Sequence, residues 1–312
     1  MRETGELRIG ERLYEGPVSA PDRPVDLFSP TDILVVGDSI WVVDNGNDRV
    51  EVFDRRFVYL GEFGREGEGP GEFRSPTAIR RSGAGVMVVD MGNSRFTEFD
   101  RSGTVLRTLP GPSGLRQFGL SEESSIYAPS KTRTRHYVRI RGASAEEFGA
   151  WPHPVPPGER APPLPEPQSV EVTAGDTVHV FDEKDAVLYK YTPEGDLVMR
   201  RGLPRSLIDS VFAERAQLIS ALSKSGYRVL DSPVSRDFAV TSTGDLLLII
   251  SAGTTVGLLI DPRTYEARRL VAPPVEPASS GPLRTGAVAL VDSVLYLITS
   301  EELRSYRVAS SR

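Results

Sequence analysis

The chain has 312 residues, a formal net charge of −6 and no cysteine. The lack of cysteine excludes disulfides, thiolate metal sites and cysteine nucleophiles, and the acidic balance argues against a nucleic-acid partner, which normally needs a basic face. The sequence has no apolar run of about 18 residues or more, so no transmembrane helix is predicted.

The first predicted element is a strand in residues 6–15, whose apolar positions are Leu7, Ile9, Leu13 and Tyr14. After it, residues 40–54 and residues 86–100 carry the same residue at eight positions, all at an offset of 46. In the first copy the shared residues are Val42, Val43, Asp44, Gly46, Asn47, Arg49, Phe53 and Asp54. Eight matches in one register indicate a structural repeat.

Each copy of the repeat predicts four antiparallel strands. In the first copy these are residues 33–36, 40–43, 49–53 and 58–63, which are rich in β-branched and aromatic residues. Asn45, Gly46 and Asn47 tolerate a positive φ, which a tight hairpin turn requires. Four-stranded sheets that repeat along a chain are typical of β-propeller blades.

Weaker copies follow in the rest of the chain. Residues 115–148, 169–203 and 234–270 each predict one further blade, and residues 287–308 predict three strands of a sixth. We expect the N-terminal strand to complete that blade, because this closes the ring and removes free sheet edges. The predicted fold is all-β: one domain over residues 1–312, a six-bladed β-propeller of four-stranded antiparallel blades closed by the N-terminal strand.

Two segments interrupt the strand pattern. Residues 152–167 contain eight prolines and predict an extended linker over the surface, with a proline-motif ligand as the alternative. Residues 204–226 predict a helical insertion whose apolar face is formed by Leu207, Val211, Leu218 and Leu222. This helix either covers exposed strand ends or forms a lid or a partner-binding element.

The repeat and its linker resemble the NHL-repeat family of β-propellers. Phe63-Gly64, then Gly67, Gly69 and Gly71, then Phe73 and Pro76 are similar to the inter-blade linker of that family, and the resemblance is strong over residues 31–110. It implies a central channel and ligand contacts on the face of the second-to-third-strand loops and inter-blade loops. Family members include protein-binding and RNA-binding modules, and related six-bladed propellers include lyases and lactonases with a metal in the channel.

Polar and basic residues in the loops are the candidate ligand-binding residues. They are Asn45, Asn47, Arg49, Arg65, Arg74, Asn93, Arg95, Arg133, Arg135 and Lys184. The alternative for Asp44 with Arg49, and for Asp90 with Arg95, is that each pair braces neighbouring hairpins. The basic stretch from Lys131 to Arg141 is either a solvated hairpin or an anion-binding one.

No catalytic set or metal-ligand set can be predicted. His136, His153 and His179 lack ligand spacing, and neither a Gly-x-Ser-x-Gly motif nor a Ca²⁺ loop occurs. The leading hypothesis is therefore a non-enzymatic binding module, without a cofactor, that presents its top-face loops to a protein or a small polar ligand.

Two other functions stay open. One is a metal-dependent lyase or lactonase, in which carboxylates and asparagines hold Ca²⁺ in the channel. The other is RNA binding through the basic hairpin, against which the net charge argues. The chain begins without an apolar signal core, and we expect a periplasmic or secreted protein whose leader has been removed.

Overall fold

The computed structural model describes most of the chain as β-strands. The described residues are 1–16, 27–83, 85–131, 135–150, 168–182, 186–206, 208–209, 213, 237–252, 255–271, 287–298 and 303–310. No helix among them is long and apolar enough to cross a membrane.

Four sheets have four antiparallel strands each, in chain order. Sheet 1 contains β2 (Pro30–Val36), β3 (Ser39–Asp44), β4 (Arg49–Asp54) and β5 (Tyr59–Phe63). Sheet 2 contains β6 (Pro76–Arg81), β7 (Gly85–Asp90), β8 (Arg95–Asp100) and β9 (Val105–Pro110). Sheet 3 contains β10 (Gly119–Leu120), β11 (Ile126–Pro129), β12 (Arg135–Arg141) and β13 (Ser144–Ala150). Sheet 4 contains β14 (Gln168–Thr173), β15 (Thr177–Asp182), β16 (Val187–Tyr191) and β17 (Leu197–Gly202).

The fifth sheet has eight strands in the order β18-β19-β20-β21-β1-β24-β23-β22. One half contains β18 (Asp237–Val240), β19 (Leu246–Ala252), β20 (Thr255–Ile260) and β21 (Glu266–Val271). The other contains β22 (Ala287–Val291), β23 (Val294–Ile298) and β24 (Leu303–Ser310), and β1 (Arg2–Gly16) lies between the two halves.

The N-terminal strand joins the two halves of this sheet. Its first part pairs in parallel with β21, from Arg2 opposite Glu266 to Arg8 opposite Val271. Its second part pairs antiparallel with β24, from Leu7 opposite Ser310 to Gly16 opposite Leu303. The expectation of six separate four-stranded sheets is therefore corrected to four such sheets and one of eight strands, because β1 is long enough to pair on both sides.

The core lies between neighbouring sheets. Between sheets 1 and 2, for example, Trp41 and Val43 pack with Val88 and Phe99 in one buried cluster. The first strands of successive sheets also contact one another: β2 with β6, β6 with β10, β10 with β14, β14 with β18, β18 with β22, and β22 with β2. These six strands surround the cavity described below.

The Asn-Gly-Asn turn differs from its prediction. The residues with positive φ are Asp48 (φ 52°) and, in the second copy, Ser94 (φ 53°), not Gly46 or Gly92. The glycines are needed for close approach instead, because the N–H of Gly46 donates to the carbonyl of Phe28 at 2.7 Å. A Cβ at Gly46 would lie 2.3 Å from that carbonyl oxygen, and one at Gly92 would lie 2.6 Å from the carbonyl oxygen of Arg74.

The two predicted insertions fall mainly on residues that the structure does not describe. The proline-rich segment 152–167 lies outside the described residues, as does most of the predicted helix 204–226. At the start of that helix, the N–H of Ile208 donates to the carbonyl of Pro204 at 3.1 Å, which forms one helical turn.

Candidate functional site

The repeated aspartate of sheet 2 holds its own hairpin together. Asp90 is fully buried at the end of β7. One carboxylate oxygen accepts the backbone N–H of Arg74 at 2.8 Å. The other accepts the side-chain N–H groups of Asn93 at 2.7 Å and Arg95 at 2.8 Å. This bonding pattern is the hairpin brace that the sequence offered as one alternative.

Arg95 extends this brace to the loop between sheets 1 and 2. Its guanidinium donates to three backbone carbonyls, those of Glu68 at 2.8 Å, Gly69 at 2.9 Å and Glu72 at 2.6 Å. Asn93 donates to a fourth carbonyl of the same loop, that of Gly67, at 2.9 Å. Both side chains therefore fix the inter-sheet loop.

The first copy of the brace has a different charge balance. Asp44 accepts the N–H of Phe28 at 2.8 Å and the side-chain amide of Asn47 at 2.6 Å. The guanidinium of Arg49 lies 3.8 Å from Asp44 but 2.5 Å from Glu51 and 3.3 Å from Glu62.

Glu51 and Glu62 face each other on β4 and β5. At the matching positions of sheet 2, Thr97 faces Thr108. Burial raises the pKa of Glu51 to about 7, and the nearby Asp44 and Glu62 carboxylates add to this rise while Arg49 opposes it. Sheet 1 thus contains a buried acid that titrates near neutral pH.

The remaining predicted loop residues are spread over the surface. Asn45 donates to the carbonyl of Pro76 at 2.8 Å, at the start of β6. Arg65 and Arg74 are exposed and pair with Glu72 and Glu68, both at 2.8 Å. Arg135 is exposed at the start of β12. Arg133 and Lys184 lie outside the described residues.

The basic hairpin of sheet 3 makes several contacts within the protein. Arg139 donates to the carbonyl of Pro193 at 2.9 Å and to Glu146 at 3.0 Å, and it lies over the ring of Phe148 at 4.2 Å. Arg141 donates to the hydroxyl of Ser125 at 2.8 Å. These two arginines connect strands of the protein rather than forming an open basic surface.

A cavity of about 420 Å³ lies among the first strands of the sheets. Its lining includes Asp32–Val35 of β2, Ile79–Arg81 of β6, Leu120 of β10, Glu171 and Val172 of β14, Ala239–Ser242 at the end of β18, Leu247 of β19 and Val288–Val291 of β22. Along β2, Pro30 pairs with Asp44 and Val36 pairs with Ser39. Asn45 and Asn47 follow Asp44 and therefore lie at the Pro30 end of β2. The cavity lining begins further along this strand, at Asp32.

Arg80 lies along one side of this cavity, and its hydrogen bonds connect residues from four sheets or their loops. One terminal nitrogen donates to Asp32 at 2.7 Å and to the carbonyl of Ile79 at 2.8 Å. The other donates to Gln117 at 2.8 Å and to Glu171 at 2.5 Å. We call Asp32, Arg80 and Glu171 the charged wall.

Asp32 is held by the backbone as well as by Arg80. Its carboxylate accepts the N–H groups of Ile33 at 2.8 Å and Ile79 at 2.9 Å. Burial nevertheless raises the pKa of Asp32 above its ordinary value, and Arg80 and the two amides only partly oppose this rise. The carboxylate is therefore under a desolvation penalty.

The side of the cavity formed by β18, β19 and β22 is mostly aliphatic. Its aliphatic residues include Ala239, Val240, Leu247, Val288, Leu290 and Val291. Arg81 and Ser242 are exposed, so they mark the side open to solvent. A pocket with an apolar lining and a few fixed polar groups is the usual form of a small-molecule site.

The repeat comparison did not identify the charged wall. Asp32 and Arg80 have no counterparts in the repeat, because the matching positions at the offset of 46 are Ala78 and Leu34. A signal was nevertheless present: a charged residue in a first strand, where the neighbouring copy has an apolar one, indicates a departure from the scaffold.

The charged wall does not fit a calcium centre. Asp32 and Glu171 both accept hydrogen bonds from the same guanidinium, that of Arg80, which lies between them. Over the residues that the structure describes, three or more histidines or acids nowhere group in a metal-binding arrangement. His136 and His179 are both fully buried, and for His179 desolvation together with the nearby Lys190 charge lowers the pKa to about 3.

The comparisons with known proteins concern the fold. No family model and no curated protein matches the sequence. Virginiamycin B lyase from Staphylococcus aureus is similar with a TM-score of 0.55 and 11% identity, over 97% of this chain and 100% of that one. A Bacteroides fragilis protein provisionally named as exported has a TM-score of 0.54 and 11% identity, over 100% and 98%.

A third solved structure, a gluconolactonase from Xanthomonas campestris, has a TM-score of 0.50 and 12% identity, over 87% of this chain and 82% of that one. Identities this low establish similarity of fold alone. With its repeated four-stranded sheets, the chain has a β-propeller-like fold.

Proposed function

We propose that the protein is a non-enzymatic binding module that takes a small ligand into the cavity among its first strands. The observation that carries the proposal is the cavity itself, with the charged wall and a mostly aliphatic side. Fixed polar groups orient a ligand, while apolar surface supplies most of the binding free energy.

The loop residues are weaker candidates than the sequence indicated. Arg95 and Asn93 already donate to carbonyls of the inter-sheet loop. A ligand at these side chains would have to replace those bonds. Arg65, Arg74 and Arg135 are exposed, but a protein partner at Arg65 or Arg74 would compete with their ion pairs to Glu72 and Glu68.

For the fold, we propose six blades of the NHL kind, with the eight-stranded sheet counted as two blades that share β1. The cyclic contacts of the six first strands support this count, and the repeated Asp-x-Gly-Asn-x-Arg pattern supports the NHL assignment. A periplasmic or secreted location is part of the same proposal, and the similarity to a protein provisionally named as exported supports it.

A lyase or lactonase is the second candidate, because two of the similar structures are named as enzymes of these kinds. The charged wall does not fit a metal centre, so this candidate assigns no step to a channel metal. Elemental analysis of the purified protein, together with lactone-hydrolysis and lyase assays, tests it.

Ligand-observed nuclear magnetic resonance with a fragment library tests the binding proposal. Ala239 lines the cavity and belongs to none of the buried apolar clusters. The substitution Ala239→Phe should fill the cavity and abolish binding of the hits. Ala150→Phe, on the exposed face of the outer strand β13, is the matched control and should leave binding unchanged. Hits that bind Ala239→Phe as well as the unmodified protein would overturn the proposal.

A further inference from the structure

Asp32 is a fixed hydrogen-bond acceptor inside the cavity. It lines the cavity and is only 3% exposed. One carboxylate oxygen, Oδ2, accepts the N–H of Ile79 at 2.9 Å and the guanidinium of Arg80 at 2.7 Å. The other, Oδ1, accepts only the N–H of Ile33, at 2.8 Å, among the residues that the structure describes. Because an ionised carboxylate offers about four acceptor positions, Oδ1 can accept a further hydrogen bond from a ligand.

This acceptor lies away from the open side of the cavity. On β2, Asp32 and Val35 are three residues apart, which is about 10 Å along a strand. Asp32 accepts the N–H of Ile79 on β6, whereas the carbonyl of Val35 accepts Arg81, two residues further along β6, at 2.8 Å. Arg81 is exposed and Asp32 is buried. The carboxylate is therefore at the inner end of the cavity, and solvent is at the other end.

Most of the other residues that line the cavity are aliphatic. They include Ala239, Leu247, Val288 and Leu290 of β18, β19 and β22. Such a surface favours a ligand body of carbon and hydrogen, because the removal of that body from water is favourable. It offers few partners to a second polar group on the body, which would lose its hydrogen bonds to water.

An ionic head group fits the inner end poorly. An ammonium group that approaches Asp32 also approaches the guanidinium of Arg80, which lies 2.7 Å from the same carboxylate. A carboxylate ligand would meet Asp32 and Glu171, while the four hydrogens on the terminal nitrogens of Arg80 already point to acceptors of the protein. Either ion also loses more hydration free energy on burial than a hydroxyl group does.

On the basis of the proposed function, we propose that the ligand of this cavity is an uncharged alcohol with an aliphatic body. Its hydroxyl donates to Oδ1 of Asp32, and its body lies against the side chains of β18 and β22. A hydrogen bond from a neutral donor to a carboxylate is stronger than one between two neutral groups. The hydroxyl therefore fixes the orientation of the ligand, and the body supplies most of the binding free energy.

Isothermal titration calorimetry with four probes tests this inference on the unmodified protein. The probes are cyclohexylmethanol, its methyl ether, cyclohexylmethylamine and cyclohexanecarboxylate, which share a cyclohexyl ring with one further carbon. The ether keeps the oxygen but has no donor, the amine is protonated at neutral pH, and the carboxylate is ionised. The alcohol should bind about tenfold or more tightly than each of the other three probes. This comparison needs no variant.

Asp32→Asn tests the acceptor itself. The substitution removes the charge and keeps the shape of the side chain, so cyclohexylmethanol should lose about fivefold to tenfold in affinity. Affinity for the methyl ether should stay unchanged, which also reports that the cavity has folded. Asp38→Asn is the matched control, since it makes the same exchange at a fully exposed acid in the turn after β2, and it should change neither affinity.

The outcomes separate this inference from the proposed function. If another of the probes binds as tightly as the alcohol, and Ala239→Phe abolishes that binding, the alcohol class is wrong and the cavity remains the site. If cyclohexylmethanol does not bind the unmodified protein, or if Asp32→Asn leaves its affinity unchanged, the alcohol class is also wrong. If cyclohexylmethanol binds and Ala239→Phe has no effect, both the alcohol class and the cavity site are wrong.

Discussion

Asp32 on β2 accepts the backbone N–H of Ile79 on β6 at 2.9 Å. A carboxylate of sheet 1 therefore satisfies a backbone donor in the first strand of sheet 2. The same carboxylate pairs with Arg80 at 2.7 Å. This contact makes the charged wall part of the scaffold as well as part of the cavity.

Replacing Asp32 should therefore destabilise the protein. Asp32→Ala removes one carboxylate partner of Arg80 and the acceptor of the Ile79 amide, and we expect the free energy of unfolding to fall by about 3–5 kcal/mol. Urea denaturation measures this change. The control is Asp38→Ala in the adjacent hairpin, where the side chain is fully exposed and a change close to zero is expected. Equal effects of the two substitutions would contradict the bonding described here.

The brace formed by Arg95 makes a second prediction. Arg95→Lys cannot reproduce donation to the carbonyls of Glu68, Gly69 and Glu72 together, so we expect a loss of about 2–3 kcal/mol in unfolding free energy. Arg65→Lys, at a side chain that is 80% exposed, should be nearly neutral. A stable Arg95→Lys variant with impaired ligand binding would instead indicate a binding role for Arg95.

The glycine of the repeated turn gives a third prediction, one about close approach. Gly92→Ala places a Cβ 2.6 Å from the carbonyl oxygen of Arg74, and the displacement this requires should lower stability by about 1–3 kcal/mol. Gly83→Ala, in the preceding hairpin, meets no atom within 4 Å and should be neutral or slightly stabilising. Thermal unfolding of the two variants compares them directly, and a tolerated Gly92→Ala would show that this turn has room.

Glu51 makes stability depend on pH. Its pKa is about 7 in the folded protein against an ordinary 4.5, so the folded state binds more protons than the unfolded state between these values, and stability falls as the pH rises through them. Glu51→Gln lacks this titration. Relative to the unmodified protein, it should gain up to about 3 kcal/mol in unfolding free energy between about pH 5 and about pH 8.

Denaturant titrations at the two pH values measure the effect of Glu51→Gln. Glu146→Gln at the surface is the control, and its difference from the unmodified protein should not change with pH. A pH-independent difference for Glu51→Gln would show that Glu51 is ionised throughout this range.

The sequence predicted the strands well because local patterning determines them. The three later repeats and the last three strands lie where the spacing of apolar runs and turn residues placed them, as β15 (Thr177–Asp182) and β16 (Val187–Tyr191) illustrate. The sequence also predicted that the N-terminal strand joins the last three strands, and β1 does so by pairing with β24. Its parallel pairing with β21, more than 250 residues away in sequence, could not be predicted from local patterning.

The candidate site was less predictable because comparing the repeat copies identifies only the residues that the copies share. Asp44, Asn47 and Asp90 recur since each copy needs the same brace, whereas the cavity depends on residues that differ between copies. Asp32, Arg80 and Glu171 come from three strands and meet only through the packing of four sheets. Likewise, the turn motif predicted a hairpin. It did not show that a glycine is needed at position 46 because the carbonyl of Phe28 lies so close to it.

A crystal structure of the protein with a fragment hit bound tests most directly whether the cavity is the ligand site. We expect electron density for the ligand in the cavity, between Ala239 and the charged wall, with the loops around Asn45 and Asn93 unchanged. Density at those loops, contacting Arg65 or Arg74 while the cavity contains only solvent, would contradict it.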